Sequence, residues 1–129
     1  MNKKKDESEP GRATARFERR KHPRFDIDLP IRYYKINSSL RGNGRAINAS
    51  EGGLLIYFTE SMELGQHLQM TLYFPPGSEQ PPIEMSGDIV WTEIQLDTGW
   101  GDYRCGVNFT DISSEDITKL KDFLGSLPQ

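Results

Sequence analysis

The stretch DIDLPIRYYKI, residues 26–36, decides the fold class. Ile27, Leu29, Ile31 and Tyr33 alternate with Asp26, Asp28, Pro30 and Arg32, the two-residue period of a strand with one face in a core and the other in water. Pro30, which has no N–H to donate, marks an edge strand or a strand start. Downstream, NSSLRGNG (37–44) is rich in Asn, Ser and Gly and reads as a turn, followed by a short segment RAINA (45–49) that runs into SEGG. Four further apolar segments follow: LLIYF (54–58), HLQMTLYF (67–74), IEMSGDIVWTEI (83–94) and WGDYRCGVNF (100–109). Gly, Pro and polar punctuation such as PPGSEQPP separates them, so six short strands result. Only the end of the chain has helical period. In SSEDITKLKDFLGSLP (113–128), Ile117, Leu120, Phe123 and Leu124 share one face. Ser113 or Ser114 caps its start, Glu115 and Asp116 oppose the positive end of the helix dipole, and Gly125 with Pro128 stops it. The pattern predicts an all-β fold with a C-terminal helix: a six-stranded antiparallel β-barrel with the helix as plug or lid.

A chain of 129 residues accommodates one compact domain. With one cysteine (Cys105) and two histidines (His22, His67), neither an internal disulfide nor a zinc cluster is available, and no metal ligand set is expected. No run approaches the ~18–20 apolar residues of a membrane span, and the basic start lacks the apolar core of a signal peptide. The expected protein is soluble and cytoplasmic. Its net charge of −3 conceals an asymmetry, because residues 1–24 carry nine basic and four acidic groups while residues 25–129 carry seven and fifteen. An acidic body with a basic leading arm points to an anionic partner for the arm, or to attraction between arm and body. Residues 1–16 read as a flexible basic tail, and 17–125 as the domain, with an arginine arm at 17–25 and the helix at 114–125.

Two constellations stand out. Arg19-Arg20-Lys21-His22-Pro23-Arg24 precedes the first strand, and Pro23 keeps His22 out of helix, so Arg20 and Arg24 ride on an irregular arm. A guanidinium fork fits phosphate oxygens and also the O6/N7 edge of guanine, although a basic patch serving solubility reads the same way. Asn48-Ala49-Ser50-Glu51-Gly52-Gly53 lies between two strands. Asn48 and Ser50 fall on one face of an extended chain and could address one ligand edge, while Gly53 permits close backbone approach or positive φ. An ordinary hairpin turn has the same composition.

Taken together, in this order and separation, the two motifs resemble the signature of the PilZ domain, RxxxR followed by [D/N]xSxxG. The resemblance extends to DLPIRYY, GDIVW (87–91) and YRCGVNFTDIS (103–113), and covers about residues 17–125. It implies a barrel that binds the bacterial second messenger cyclic di-GMP without catalysis and without a cofactor. Carried over residue by residue, Arg20 and Arg24 would grip phosphates and guanine edges, Asn48 and Ser50 would hydrogen-bond a guanine, and Gly53 would keep the surface clear. Asn48 stands at an Asp/Asn position and lacks the charge that favours guanine's N–H donors. Arg19 resembles the subset that takes an intercalated pair of messenger molecules in place of one.

Trp91 is a candidate for stacking on a guanine, with a place in the core the alternative. Arg104 reads as a solvated strand residue before a phosphate contact, Asp26 and Asp28 as an outward face, His22 as carried by the arm, and Cys105 as a small core residue. No catalytic residues are assigned. Ordering of the arm over the barrel by messenger phosphates, to be read by a downstream protein partner, is the expected switch. The rival is a PilZ-like barrel acting as a ligand-independent protein adaptor. A nucleic-acid binder is disfavoured because the acidic body repels a polyanion.

Overall fold

The computed structural model describes residues 23–36, 38–94 and 103–127. Six strands and one helix follow in chain order: β1 (Phe25–Lys35), β2 (Arg41–Ser50), β3 (Gly53–Phe58), β4 (His67–Leu72), β5 (Ile83–Ile94), β6 (Tyr103–Ile112) and α1 (Ser114–Gly125). All neighbouring strands are antiparallel, and they close into a barrel in the order β1-β2-β3-β6-β5-β4. Closure removes both sheet edges.

The inward residues are those the alternation designates. Leu29, Ile31 and Tyr33 of β1 meet Leu54, Ile56 and Phe58 of β3 in one core, the Tyr33 and Phe58 rings packing edge to face at 5.0 Å. Pro30 is neither at an edge nor at a strand start. It lies inside β1 opposite Arg45, just where the β4 ladder gives out, and its carbonyl accepts the Tyr73 N–H.

Strand β2 begins earlier than the turn-like composition of 37–44 suggests. Gly42 and Gly44 are strand residues whose missing side chains make room for neighbours: a Cβ on Gly42 would lie 2.5 Å from the Tyr33 hydroxyl, and one on Gly44 2.7 Å from the Tyr57 carbonyl oxygen. Strand β4 ends at Leu72, two residues before the apolar segment does, and β6 runs on to Ile112.

Helix α1 covers the core with Leu120 and Leu124, both buried, and Phe123 packs on Phe74 at 5.0 Å between ring centroids. Ser113 is the N-cap, its Oγ accepting the Asp116 N–H at 3.0 Å, and Asp116 Oδ2 in turn accepts the Glu84 N–H at 3.1 Å, tying the helix start to β5. Gly125 does not terminate the helix by a left-handed turn. It is the last helical residue, and the cap is Ser126 in a right-handed conformation, its N–H returned to the Asp122 and Phe123 carbonyls.

Two register shifts decide what reaches the outer wall. Ala46 pairs with Ile56 but Asn48 with Leu55, so Ile47 is an extra residue in β2. Ile89 pairs with Val107 but Trp91 with Gly106, so Val90 is extra in β5. A bulge advances the side-chain alternation by one place. Ile83, Met85, Gly87 and Ile89 face inward, and uninterrupted alternation would send Trp91 inward too; the Val90 bulge turns it out.

Candidate functional site

The corrected registers align one transverse row across five strands: Asp26 opposite Asn48, Asn48 opposite Leu55, Leu55 opposite Gly106, and Gly106 opposite Trp91. Spanning four interstrand spacings, the row is roughly 19 Å wide. Arg24, just before β1, reaches back onto it: its Nη1 donates to Asn48 Oδ1 at 2.9 Å. Asn48 Nδ2 points the other way, toward Asp26 Oδ1 at 3.4 Å. A cleft of about 260 Å3 opens here, lined by Arg24, Asn48, Leu54, Leu55, Trp91 and Gly106.

Three of the candidate residues thus lie together: Arg24 from the first motif, Asn48 from the second, and Trp91. The indole is 39% exposed, which takes it out of the core, and it lies across Gly106, where an added Cβ would come within 2.3 Å of its Nε1. Arg104 is not merely solvated. Its guanidinium sits 5.6 Å from the Trp91 ring centroid and its Nη2 donates to Glu93 Oε1 at 2.8 Å, so it braces the indole.

Ser50 and Gly53 occupy the next row along the wall, paired with each other across the β2–β3 hairpin, with Asn108 of β6 opposite Gly53. Ser50 is buried, at 3% exposure, and its Oγ accepts the Gly52 N–H at 3.1 Å, holding the turn. Gly53 needs no positive φ. It is required by space, because a Cβ there would stand 2.1 Å from the Val107 carbonyl oxygen. Arg19, Arg20, His22, the tail at 1–16 and most of the arm lie outside the described residues.

Leu55, Gly106 and Asp26 are wall residues that motif reasoning did not select. Asp26 was legible as an outward strand residue, but only the β1–β2 register shows that it faces Asn48. Cys105 is buried, donates to Thr92 Oγ1 at 3.3 Å, and burial pushes its thiol above the usual range, so it is a packing residue in the protonated form. Among the described residues no cluster of three metal-ligating side chains occurs, and no helix is long and apolar enough to cross a membrane.

The family model for the PilZ domain matches residues 18–126. The chain belongs to the PilZ domain family. Among solved structures, this PilZ barrel is similar to the Bacillus subtilis inhibitor of motility MotI/DgrA, with 16% identity and a TM-score of 0.70, covering 84% of this chain and 50% of that one. It is also similar to the PilZ domain of YcgR from Escherichia coli, solved with c-di-GMP, with 14% identity and a TM-score of 0.68 over 85% of this chain and 92% of that one. The PilZ domain of CeSA from a cellulose-synthesizing bacterium aligns with 10% identity and a TM-score of 0.57, covering 80% of this chain and 95% of that one. At these identities the likeness is one of fold. No curated protein matches significantly.

Proposed function

We propose that this PilZ protein is a non-catalytic receptor for cyclic di-GMP, held on the outer wall at Arg24, Asn48 and Trp91, with Arg19 and Arg20 joining from the arm and Ser50 and Gly53 from the hairpin. The observation that carries the reading is the 2.9 Å hydrogen bond from Arg24 to Asn48: the two signature motifs, 24 residues apart in the chain, meet on one cleft beside an exposed indole. At about 260 Å3 the cleft is smaller than the roughly 300–1,000 Å3 of most small-molecule pockets, so a dinucleotide would lie across the wall with one base at the cleft.

The chemistry matches the messenger part by part. The Arg24 fork is suited to a phosphate or to guanine O6/N7. Guanine's N1–H and N2–H2 donors need acceptors, and Asn48 Oδ1 is one. Asn48 has no charge, but Asp26 places a carboxylate 3.4 Å from its amide nitrogen, restoring negative character to that end of the row. Trp91, braced by Arg104, offers a stacking face worth about 1–3 kcal/mol per base. Messenger phosphates would draw Arg24 from a neutral amide to a dianionic backbone and fold the arm (17–24) across the wall, creating the surface that a protein partner reads.

Titration calorimetry with cyclic di-GMP, using GTP and cyclic di-AMP as controls, tests the assignment. Arg24→Ala and Arg20→Ala should each cost at least tenfold in affinity, about 1.4 kcal/mol or more. Unchanged binding in both variants removes the site. Amide exchange over 12–26 with and without ligand tests the switch, and equal protection in both states removes it. Absence of any binding would leave the adaptor reading, in which the same barrel engages a protein without messenger.

A further inference from the structure

Away from that wall, β1, β2 and β4 present a second outward face. Of the seven basic residues from position 25 onward, four lie on β1 and β2: Arg32, Lys35, Arg41 and Arg45. Lys35 is held by Glu60 at 2.8 Å, and Arg45 by Asp28, with Nε to Oδ1 at 2.6 Å. Arg32 and Arg41 are exposed and have no carboxylate partner among the described residues. Each lies instead over a tyrosine, Arg32 at 5.7 Å from the Tyr73 centroid and Arg41 at 5.5 Å from that of Tyr34. Among the described residues these two arginines thus meet an aromatic ring and no carboxylate, in a body with fifteen acidic groups.

The registers give these cations a spacing. Outward residues pair as Pro30 with Arg45, Arg32 with Asn43, and Tyr34 with Arg41, so the three arginines stand in three successive rows. Rows two residues apart along a strand are separated by about 6.6–7 Å, which is also the distance between same-side residues of any extended peptide. A groove of about 490 Å3 opens at the Arg45 and Arg32 rows, one row short of Arg41, lined by Pro30, Arg32, Asn43, Arg45 and Tyr73 among others, and sharing no residue with the Arg24–Asn48 cleft. Carboxylates of the surrounding strands and turns are engaged or set apart: Asp28 is engaged by Arg45, Glu60, next to the lining residue Thr59, by Lys35, and Glu84 stands two strands from Arg32, across Thr71.

We propose that this face docks an extended acidic segment of a partner protein, with carboxylates two residues apart set against Arg32 and Arg41 and the flanking backbone over Pro30 and Tyr73. Bidentate guanidinium–carboxylate geometry and the stacked tyrosines, which spare the arginines much of their ordering entropy, supply the specificity. A polyanion of another class would have to overcome the negative remainder of the barrel, whereas a short segment touches only the positive strip.

Fluorescence anisotropy with the full chain decides this. The probe is a fluorescein-labelled peptide Glu-Thr-Glu-Val-Glu-Thr-Glu, compared with an isomer of the same composition with its glutamates contiguous. The alternating peptide should bind at least about fivefold more tightly than the isomer, and R32Q/R41Q should weaken it about tenfold, equivalent to roughly 1.4 kcal/mol. The single variants R32Q and R41Q, read separately, guard against a fold defect in the double. Equal binding of the two peptides, or wild-type binding by the variants, overturns the proposal. So does a twelve-residue oligothymidylate that binds at least as tightly as the alternating peptide, which would assign the face to nucleic acid.

Discussion

Replacing Gly53 by alanine separates two roles that one glycine can have. An ideal Cβ at this position lies 2.1 Å from the Val107 carbonyl oxygen, 3.1 Å from its carbon and 3.3 Å from Asn108 Cα, all backbone atoms of β6. A comfortable carbon–oxygen approach is about 3.3 Å, so β3 and β6 must part by roughly 1 Å. Neither strand can yield easily: β3 is also paired to β2, β6 is also paired to β5, and the Gly52 carbonyl accepts the Phe109 N–H at 3.0 Å beside the contact. Overpacking costs about 1–3 kcal/mol, and a backbone clash between doubly paired strands belongs at the upper end. For a barrel of this size about 3 kcal/mol lowers Tm by roughly 12 °C. Gly125→Ala is the control: nothing lies within 4 Å of its added Cβ and its φ is helical, so it should stabilise by about 0.5–1 kcal/mol. Calorimetric melts of both variants, with cyclic di-GMP titrated at 20 °C where both are folded, give the answer. A Gly53→Ala protein that melts within 2 °C of wild type but has lost its ligand would refute the packing argument and make clearance for the messenger the glycine's sole role.

Four other outcomes follow from the same geometry. Gly106→Ala meets the movable Trp91 ring and not backbone, so it should cost less than about 1.5 kcal/mol while displacing the indole, read as a shift in tryptophan emission and weaker cyclic di-GMP binding. Asp26→Asn should weaken messenger binding about three- to tenfold without lowering Tm, if its carboxylate supplements Asn48; calorimetry that finds equal affinity rejects that role. Glu60→Ala strands the buried Tyr33 hydroxyl, whose hydrogen bond to Glu60 measures 2.7 Å, at a cost of about 1–2 kcal/mol at neutral pH. Lys35 and then Tyr33 hold the Glu60 carboxyl below its ordinary value, so its contribution is full above that value and is lost as pH falls through the lowered one; urea melts at pH 7 and pH 3 should show the gap between variant and wild type closing in acid. Ser113→Ala removes the helix cap and should cost about 1 kcal/mol in the same assay.

The fold was legible wherever one side chain in two faced the core. Leu29-Ile31-Tyr33 and Leu68-Met70-Leu72 announce their strands, and Ile117, Leu120 and Leu124 announce the helix. Glycines misled at 42 and 44, because a residue with no side chain reads as a turn whether it bends the chain or clears space for Tyr33 and Tyr57. The site was half legible. Arg24 and Asn48 are recognisable as motif members, but their meeting depends on pairing between β1 and β2, and the outward aim of Trp91 depends on a bulge that composition does not mark. Asp26 and Gly106 join the row only through the four registers that link its five strands.

Because Val90 is supernumerary in its ladder, the strand passes from the inward Ile89 to the outward Trp91 with one unpaired residue between them. Deleting that one residue would restore strict alternation and leave Trp91 directly after Ile89, still outward and still opposite Gly106, with Thr92 still opposite Cys105. A deletion there should therefore keep the platform that Trp91→Ala removes, and the bulge acts as slack that absorbs one residue of strand length without moving the aromatic surface.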